Sequence, residues 1–503
     1  MMGFDVGTSR SKVAFVDPAG KAVSVLNARG EPRTPSVVFV PETGDPLIGV
    51  EAVEQGYIDP GRCIRNFKPR LGSTEGLLSN GQLVIPTDAA AMLITRLKAD
   101  AERQLSMEVS EVVATCPANS RDDFKQALKE AFERNGMKVL KLMPEPTAAA
   151  CAYVLDKAST KMNILVYDLG GGTFDTSIVH VDGMQITVLA TEGIPKLGGN
   201  DFNDCLSRRV LDQLKAQLGT EPDPAADPLF FLDLDQRIEA AKLSLGSRKE
   251  VPVVATCDGR QVVAKVTQDE FHHDIRPLVQ QSLEAVDRAV AAAGLTIDKI
   301  DRLVMVGGTS RMPFVQEMAA NHTGLAARTD IDPEQAVAHG AALECVAELG
   351  RQGRTATLHG RAIPTSDAFV RDVTAHSVGC CVVDRSKAKR RLLNSVLIDK
   401  NTPIPCQRGD HFCLEHEEQS EAQIEILQGE ADADRDDCLL IGELRLANLP
   451  KEARRTPRIG VEYVIDANGM VTATATDAVS GQQQTVSVDY KKGIKAGQKP
   501  STI

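Results

Sequence analysis

Asn163-Ile164-Leu165-Val166-Tyr167-Asp168-Leu169-Gly170-Gly171-Gly172-Thr173-Phe174-Asp175 decides how this 503-residue chain is read. Asn163 to Tyr167 is an apolar strand, Asp168 ends it, three glycines turn the chain, and Thr176 to Val179 form a second strand. Glycine lets backbone N–H groups approach a phosphate closely, and the Thr173 hydroxyl adds a donor. A carboxylate does not face phosphate unaided, so Asp168 implies a hard cation such as Mg²⁺. A shorter copy stands 163 residues earlier (168 − 5), as Gly3-Phe4-Asp5-Val6-Gly7-Thr8-Ser9 before the apolar stretch Val13 to Val16. That first loop alone reads as readily as a plain hairpin turn, a reading the triple-glycine second copy, with Asp175 following, disfavours. The recurrence suggests a duplicated lobe, with phosphate clamped between two hairpins and the cation between Asp5 and Asp168. Neither copy fits the G-x-x-x-x-G-K-[ST] phosphate loop.

A third glycine turn, Val304-Met305-Val306-Gly307-Gly308-Thr309-Ser310-Arg311, follows another apolar strand and suits close contact with a nucleoside. Around these turns the first ~350 residues alternate short strands with amphipathic helices, an α/β pattern. Ser120 is a fitting N-cap for a helix through Phe124, Leu128 and Phe132 that Gly136 stops, and a second helix is expected from about Ser282 to Ala293. Residues 351–368 are polar, with Gly and Pro, and read as a linker. Beyond them, Ser395 to Ile398, Ala422 to Leu427, Leu439 to Leu446 and Thr485 to Val488 read as strands. Val461 to Ile465 and Val471 to Thr476 flank Asp466-Ala467-Asn468-Gly469, a hairpin with Asn-Gly in its turn. Residues 369–490 are therefore expected to form an antiparallel β-domain, and 491–503 a Lys/Gly-rich disordered tail.

The net charge of −12 argues against nucleic acid or an anionic membrane as partner, because both need basic surface. No apolar run is long enough to span a bilayer, and the start of the chain lacks a leader-like pattern. Eleven cysteines occur without a C-x-x-C pair, which reads as reduced thiols in a cytoplasmic protein. The nine histidines show no metal-ligand spacing, so no metal site made from protein ligands alone is expected.

In order along the chain, these segments resemble the phosphate motifs, connecting helices and adenosine motif of actin-like ATPases. More narrowly, they resemble DnaK-type heat-shock chaperones. The resemblance is carried by Pro144-Glu145-Pro146-Thr147-Ala148-Ala149-Ala150, Leu197-Gly198-Gly199-Asn200-Asp201-Phe202 and Ala336-Val337-Ala338-His339-Gly340-Ala341-Ala342. It continues in Asn401-Thr402-Pro403-Ile404-Pro405 and Gln428-Gly429-Glu430, and so covers nearly the whole chain. It implies a two-lobed α/β actin-like ATPase domain over 1–350 and a β-sandwich peptide-binding domain over 369–490. It also implies ATP and Mg²⁺ as cofactors.

Carried over by residue, the resemblance makes Asp5, Asp168 and Asp175 organisers of Mg²⁺ through water. Glu145 and Asp175 orient or deprotonate the attacking water, Lys68 stabilises charge on the transferred group, and Thr173 joins them as a catalytic residue. Gly7, Thr8, Ser9, Gly170, Gly171, Gly172, Thr173, Gly198 and Gly199 surround the phosphates. Glu239, Lys242, Gly307, Gly308, Thr309 and Arg311 hold the nucleoside. Each has a plainer reading: Glu145 as a carboxylate favoured by a helix dipole, Lys68 as a solvated lysine. Leu243 stands where relatives often carry an Arg that stacks on adenine, and Gly246 replaces a Ser, so ATP binding is expected to be weaker than is typical.

In the β-domain, Cys380, Val383, Phe412, Ala422, Ile424 and Met470 match positions of a cleft for extended apolar peptides, although a β-domain core would hold the same residue types. Glu415 and Ala422 depart from the usual cleft residues. Arg371 interrupts the apolar linker, Glu133 speaks against a J-domain cochaperone, and no helical lid follows 490, which predicts fast peptide release. Pro117 and Lys125 keep a relay arrangement, and a nucleotide-exchange factor remains open as a partner. Three functions compete: an ATP-driven chaperone of unfolded client segments, a nucleotide-binding regulatory or scaffolding module without peptide cycling, and a small-molecule kinase of the same superfamily. The β-domain favours the first over the third.

Overall fold

The computed structural model describes residues 2–487 except 80–81, 155–160, 184, 220–221, 223–226, 258–259, 329–331, 365–368, 385–390, 417 and 452–455. The expected tail at 491–503 lies outside the described residues. By internal contacts the chain divides into two units, 1–119 with 127–370, and 120–126 with 371–503.

The larger unit repeats one sheet topology twice. In the first sheet, β1 (Met2–Asp5) runs parallel to β4 (Glu111–Cys116), which runs parallel to β5 (Lys138–Pro144). On its other side β1 pairs antiparallel with β2 (Arg10–Val16), and β2 with β3 (Ala22–Ser24). In the second sheet, β6 (Lys161–Leu169) is parallel to β9 (Arg302–Val306), and β9 to β10 (Ala327–Arg328). Its other neighbours are the antiparallel β7 (Phe174–Asp182) and β8 (Gln185–Ile194). Thus β1 corresponds to β6, β2 to β7, and the loops at Asp5 and Asp168 are topologically equivalent. The central strands β1 and β6 are buried along most or all of their length, as parallel neighbours covered by helices require.

Two helices cross where small residues let them. α2 (Glu145–Val154) follows β5, and α6 (Ala336–Arg351) packs against α2 and β1. A Cβ on Gly340 would stand 1.7 Å from the Ala148 carbonyl oxygen. That contact is backbone, so it cannot yield, and it explains the alanine and glycine runs in both motifs. α1 (Asp122–Glu133) covers Phe124, Leu128 and Phe132 much as its periodicity predicts.

The helix expected from about Ser282 is in fact α5, Gln268–Ala292. Thr267 and Glu270 form a capping box at its start, and Pro277 sits inside it. Pro277 and the paired His272-His273 hid the first four turns from a reading of periodicity. The polar stretch read as linker is also more ordered than expected. α6 reaches Arg351, Thr357–Leu358 pairs with Arg361–Ala362, and β11 (Phe369–Arg371) joins the second sheet beside β8, with Val370 buried.

In the smaller unit, β12 (Val378–Asp384), β13 (Arg391–Ile398), β15 (Glu421–Gln428) and β16 (Leu439–Ala447) form one antiparallel sheet. The second contains β14 (Cys406–Cys413), β17 (Pro457–Ile465), β18 (Val471–Asp477) and β19 (Gln483–Ser487). Ile426 and Leu444 from one sheet share a core with Tyr463 and Ala473 from the other. The Tyr463 hydroxyl donates to the Gly379 carbonyl at 2.9 Å, so the polar end of this buried ring is satisfied. The expected Asn-Gly hairpin joins β17 to β18, with Gly469 at φ +73°. Among the described residues no helix is long and apolar enough to cross a membrane.

Candidate functional site

The two equivalent loops face one another across a cleft of about 860 Å³ within the larger unit. A Cβ on Gly171 would meet the Ser9 hydroxyl at 2.3 Å, and one on Gly172 would meet the Thr8 side chain at 3.1 Å. The glycines therefore let the hairpins close on each other as well as on a ligand. Gly198 and Gly199 lie at the start of α3 (Gly199–Leu218) and hold the second loop from behind. Gly199 N–H donates to the Gly170 carbonyl at 3.0 Å, and Asn200 N–H to that of Gly171 at 2.7 Å. The Thr309 hydroxyl donates to the same Gly170 carbonyl at 2.8 Å, so the third glycine turn is tied to the second loop.

Between the loops sits a cluster of buried charge. Asp5, Lys68, Glu145, Asp168 and Asp175 are all less than a tenth exposed. Lys68 Nζ donates to Glu145 Oε1 at 2.6 Å, and Asn119 N–H donates to Asp175 Oδ1 at 3.3 Å. Burial pushes the Asp168 carboxyl well above the usual range, with Glu145, Asp175 and Asp5 adding to it. Burial and Glu145 raise Asp175 to about 7. Burial also raises Glu145, with Asp5 acting the same way against Lys68. For Lys68, burial works downward, but Glu145 and Asp5 outweigh it and hold the ammonium protonated. In this cluster four carboxyls stand beside one lysine, and the upward shifts record the cost of ionising them together, which a bound divalent cation would relieve. Among the described residues no three acidic, His or Cys groups are close enough to hold a metal by themselves. Water and phosphate oxygens would complete the shell of Mg²⁺.

The nucleoside end is built differently. Glu239 and Lys242 lie on α4 (Pro228–Leu245), where Lys242 Nζ meets Glu239 Oε2 at 2.7 Å and the Gly199 carbonyl at 3.2 Å. Burial lowers Lys242 against the pull of Glu239. Leu243 lines the cleft at 61% exposure and offers it no charge. Arg311 lies at the mouth and is half exposed, with Nη1 3.1 Å from Glu334 Oε2. Gly7, Ser9, Gly307 and Gly308 line the same cleft.

Four charged residues here escaped the sequence reading. Glu334 is buried and receives Arg33 at 2.5 Å, Arg311 at 3.1 Å and Arg10 at 3.7 Å, from three separate segments. Lys12 Nζ donates to Asp5 Oδ2 at 2.8 Å inside the cleft. Strand alternation puts Lys12 on one face with Ala14 and Val16, but β2 is buried on both faces from Val13 onward, so alternation does not single Lys12 out. Nothing in the local sequence brings Arg10, Arg33 and Arg311 together.

In the smaller unit the six expected peptide-contacting residues separate. Cys380, Ala422 and Ile424 lie in the shared core at 2%, 6% and 8% exposure, with Phe412 half-buried against it. Val383 stands three positions from Cys380 on an uninterrupted part of β12, so strand alternation turns it to the opposite face. Met470 closes the hairpin turn, where its N–H donates to Asp466 Oδ1 at 2.8 Å. No disulfide joins the described cysteines.

A sequence profile of the family "Hsp70 protein" matches residues 1–77 and 76–500. The chain belongs to the Hsp70 family. It is 34% identical over 495 residues to the "Chaperone protein DnaK" of Thermotoga neapolitana and to that of Thermotoga maritima, covering 97% of this chain and 80% of each relative. The DnaK of Thermosipho africanus is 33% identical over 494 residues, with 97% and 79% covered. This Hsp70 is an ATP-dependent molecular chaperone of DnaK type, an ATPase that uses ATP with Mg²⁺.

Proposed function

We propose that this Hsp70 hydrolyses ATP between Asp5, Lys68, Glu145, Asp168, Thr173 and Asp175, and that nucleotide state controls its grip on extended apolar segments of client proteins. The observation that carries the catalytic part is the buried Lys68–Glu145 pair at 2.6 Å, set between two facing phosphate loops. Mg²⁺, held through water by Asp5, Asp168 and Asp175, supplies neutralising charge to the phosphates when bound. The protein's own groups position and polarise. Backbone N–H groups of both loops, with the Thr8, Ser9 and Thr173 hydroxyls, orient the phosphates. Lys68 stays protonated and offsets charge developing on the transferred group. Glu145 and Asp175, with carboxyls raised by burial, suit the orientation of water and acceptance of its proton.

The repeated sheet topology supports a two-lobed ATPase domain, and the shared core of the two antiparallel sheets supports a β-sandwich for peptide. Phe412, Val383 and Met470 are the accessible candidates among the expected contacts, while Cys380, Ala422 and Ile424 are packed into the core of the two sheets. We place the activity in the cytoplasm, where thiols stay reduced. The test measures ATP turnover with and without an unfolded peptide, and peptide release with and without ATP. Peptide is expected to accelerate turnover and ATP to accelerate release. Unchanged rates in both directions would sink the chaperone cycle and leave a nucleotide-binding regulatory module.

A further inference from the structure

The duplication extends past the two aspartates that revealed it. In the second sheet Asp168 on β6 lies directly opposite Asp175 on β7; in the first, Asp5 on β1 lies directly opposite Lys12 on β2. The spacing is the same, 175 − 168 = 7 and 12 − 5 = 7. Lys12 is therefore the counterpart of Asp175, at the same point of the repeated hairpin and with the opposite charge.

Its surroundings set it apart from an ordinary buried ion pair. The side chain is only 13% exposed and lines the nucleotide cleft. Among the described residues Asp5 Oδ2, at 2.8 Å, is the one hydrogen-bond acceptor of its ammonium, which carries three donors. Lys68 is held in the same manner, with Glu145 Oε1 at 2.6 Å as its one acceptor among the described residues and Asp5 nearby. A charged ammonium that lines this cleft beside one carboxylate has further N–H donors to offer a phosphate oxygen there.

We propose that Lys12 is a phosphate-binding residue of this ATP site, reaching the nucleotide from the first sheet opposite Asp175. It supplies a fixed positive charge that partly takes the place of the divalent cation in binding the phosphates. The inference rests on the ATP-site reading and adds a residue to it.

The test measures binding of ATP, ADP and adenosine by calorimetry on the full chain, with Mg²⁺ and again in excess chelator. The proteins are the wild type, Lys12→Met, Lys12→Gln and Lys12→Arg. Without divalent cation, Lys12→Met is expected to weaken ATP binding about ten- to hundredfold. The loss should be smaller with Mg²⁺, absent for adenosine, and largely recovered in Lys12→Arg. Lys12→Gln keeps a hydrogen bond toward Asp5 without the charge, and gives the same readout if the methionine variant does not fold. ATP affinity within about twofold of wild type in chelator, or an equal loss for adenosine, overturns the proposal. A wild type that binds no ATP even with Mg²⁺ overturns the site reading itself.

Discussion

The two ends of the nucleotide cleft are made from different materials. At the phosphate end, Asp5, Lys68, Glu145, Asp168 and Asp175 are buried, and most stand at strand ends whose register leaves them no freedom. At the nucleoside end, Leu243 is 61% exposed, the Glu239 side chain 41% and that of Arg311 56%. Phosphoryl transfer to water requires groups held in place and shielded from solvent, because a charge acts more strongly in a dry, preorganised site. Holding a nucleoside requires only surface and a few hydrogen bonds. Substitution is therefore expected to be costly at the first end and milder at the exposed positions of the second.

The contrast can be broken by substitutions at each end. The largest effect is expected from Lys68→Ala and Thr173→Ala, which should lower kcat about 100- to 1000-fold while ATP affinity stays within about threefold. Single-turnover hydrolysis set beside equilibrium binding measures this, and equal losses in both would contradict a role in hydrolysis. Next comes Gly198→Ala, whose new Cβ would stand 2.5 Å from the Gly172 backbone nitrogen. Backbone cannot step aside, so the second loop must shift; affinity for ATP and ADP should fall about five- to hundredfold, with adenosine much less affected. An unchanged ADP affinity would show that the loop does not depend on this support. The smallest effect belongs to the exposed end. Leu243→Arg should tighten ATP, ADP and adenosine alike by about two- to thirtyfold without altering kcat. A change in kcat there would mean that the two ends are not independent.

Much of this site was legible because its chemistry is local. Asp168 through Asp175 carries its acid, its glycines and its second strand in one short segment, and so do Asp5 through Ser9. Lys68, Glu145, Glu239 and Lys242 were found only through resemblance, since a lone lysine or glutamate has no signature of its own. The fold was misread where signals conflicted. The helix expected from about Ser282 starts at Gln268 with Pro277 inside it, and the polar stretch after Arg351 concealed a short hairpin and the edge strand at Phe369. In the smaller unit, alternation along β12 could have separated Cys380 from Val383, had the strand been counted residue by residue.

Taken alone, the chain of residues determined the phosphate chemistry, the duplication and the change from α/β to antiparallel β, because each rests on a pattern confined to neighbouring positions. Tertiary structure decided which charges meet. Lys12 acquires its place from the pairing of β1 with β2, and Glu334 gathers Arg10, Arg33 and Arg311 from segments far apart in sequence. The reason is physical. A turn depends on the conformations of a few adjacent residues, whereas the field inside a cleft is the sum over every charge that folding brings within a few ångströms.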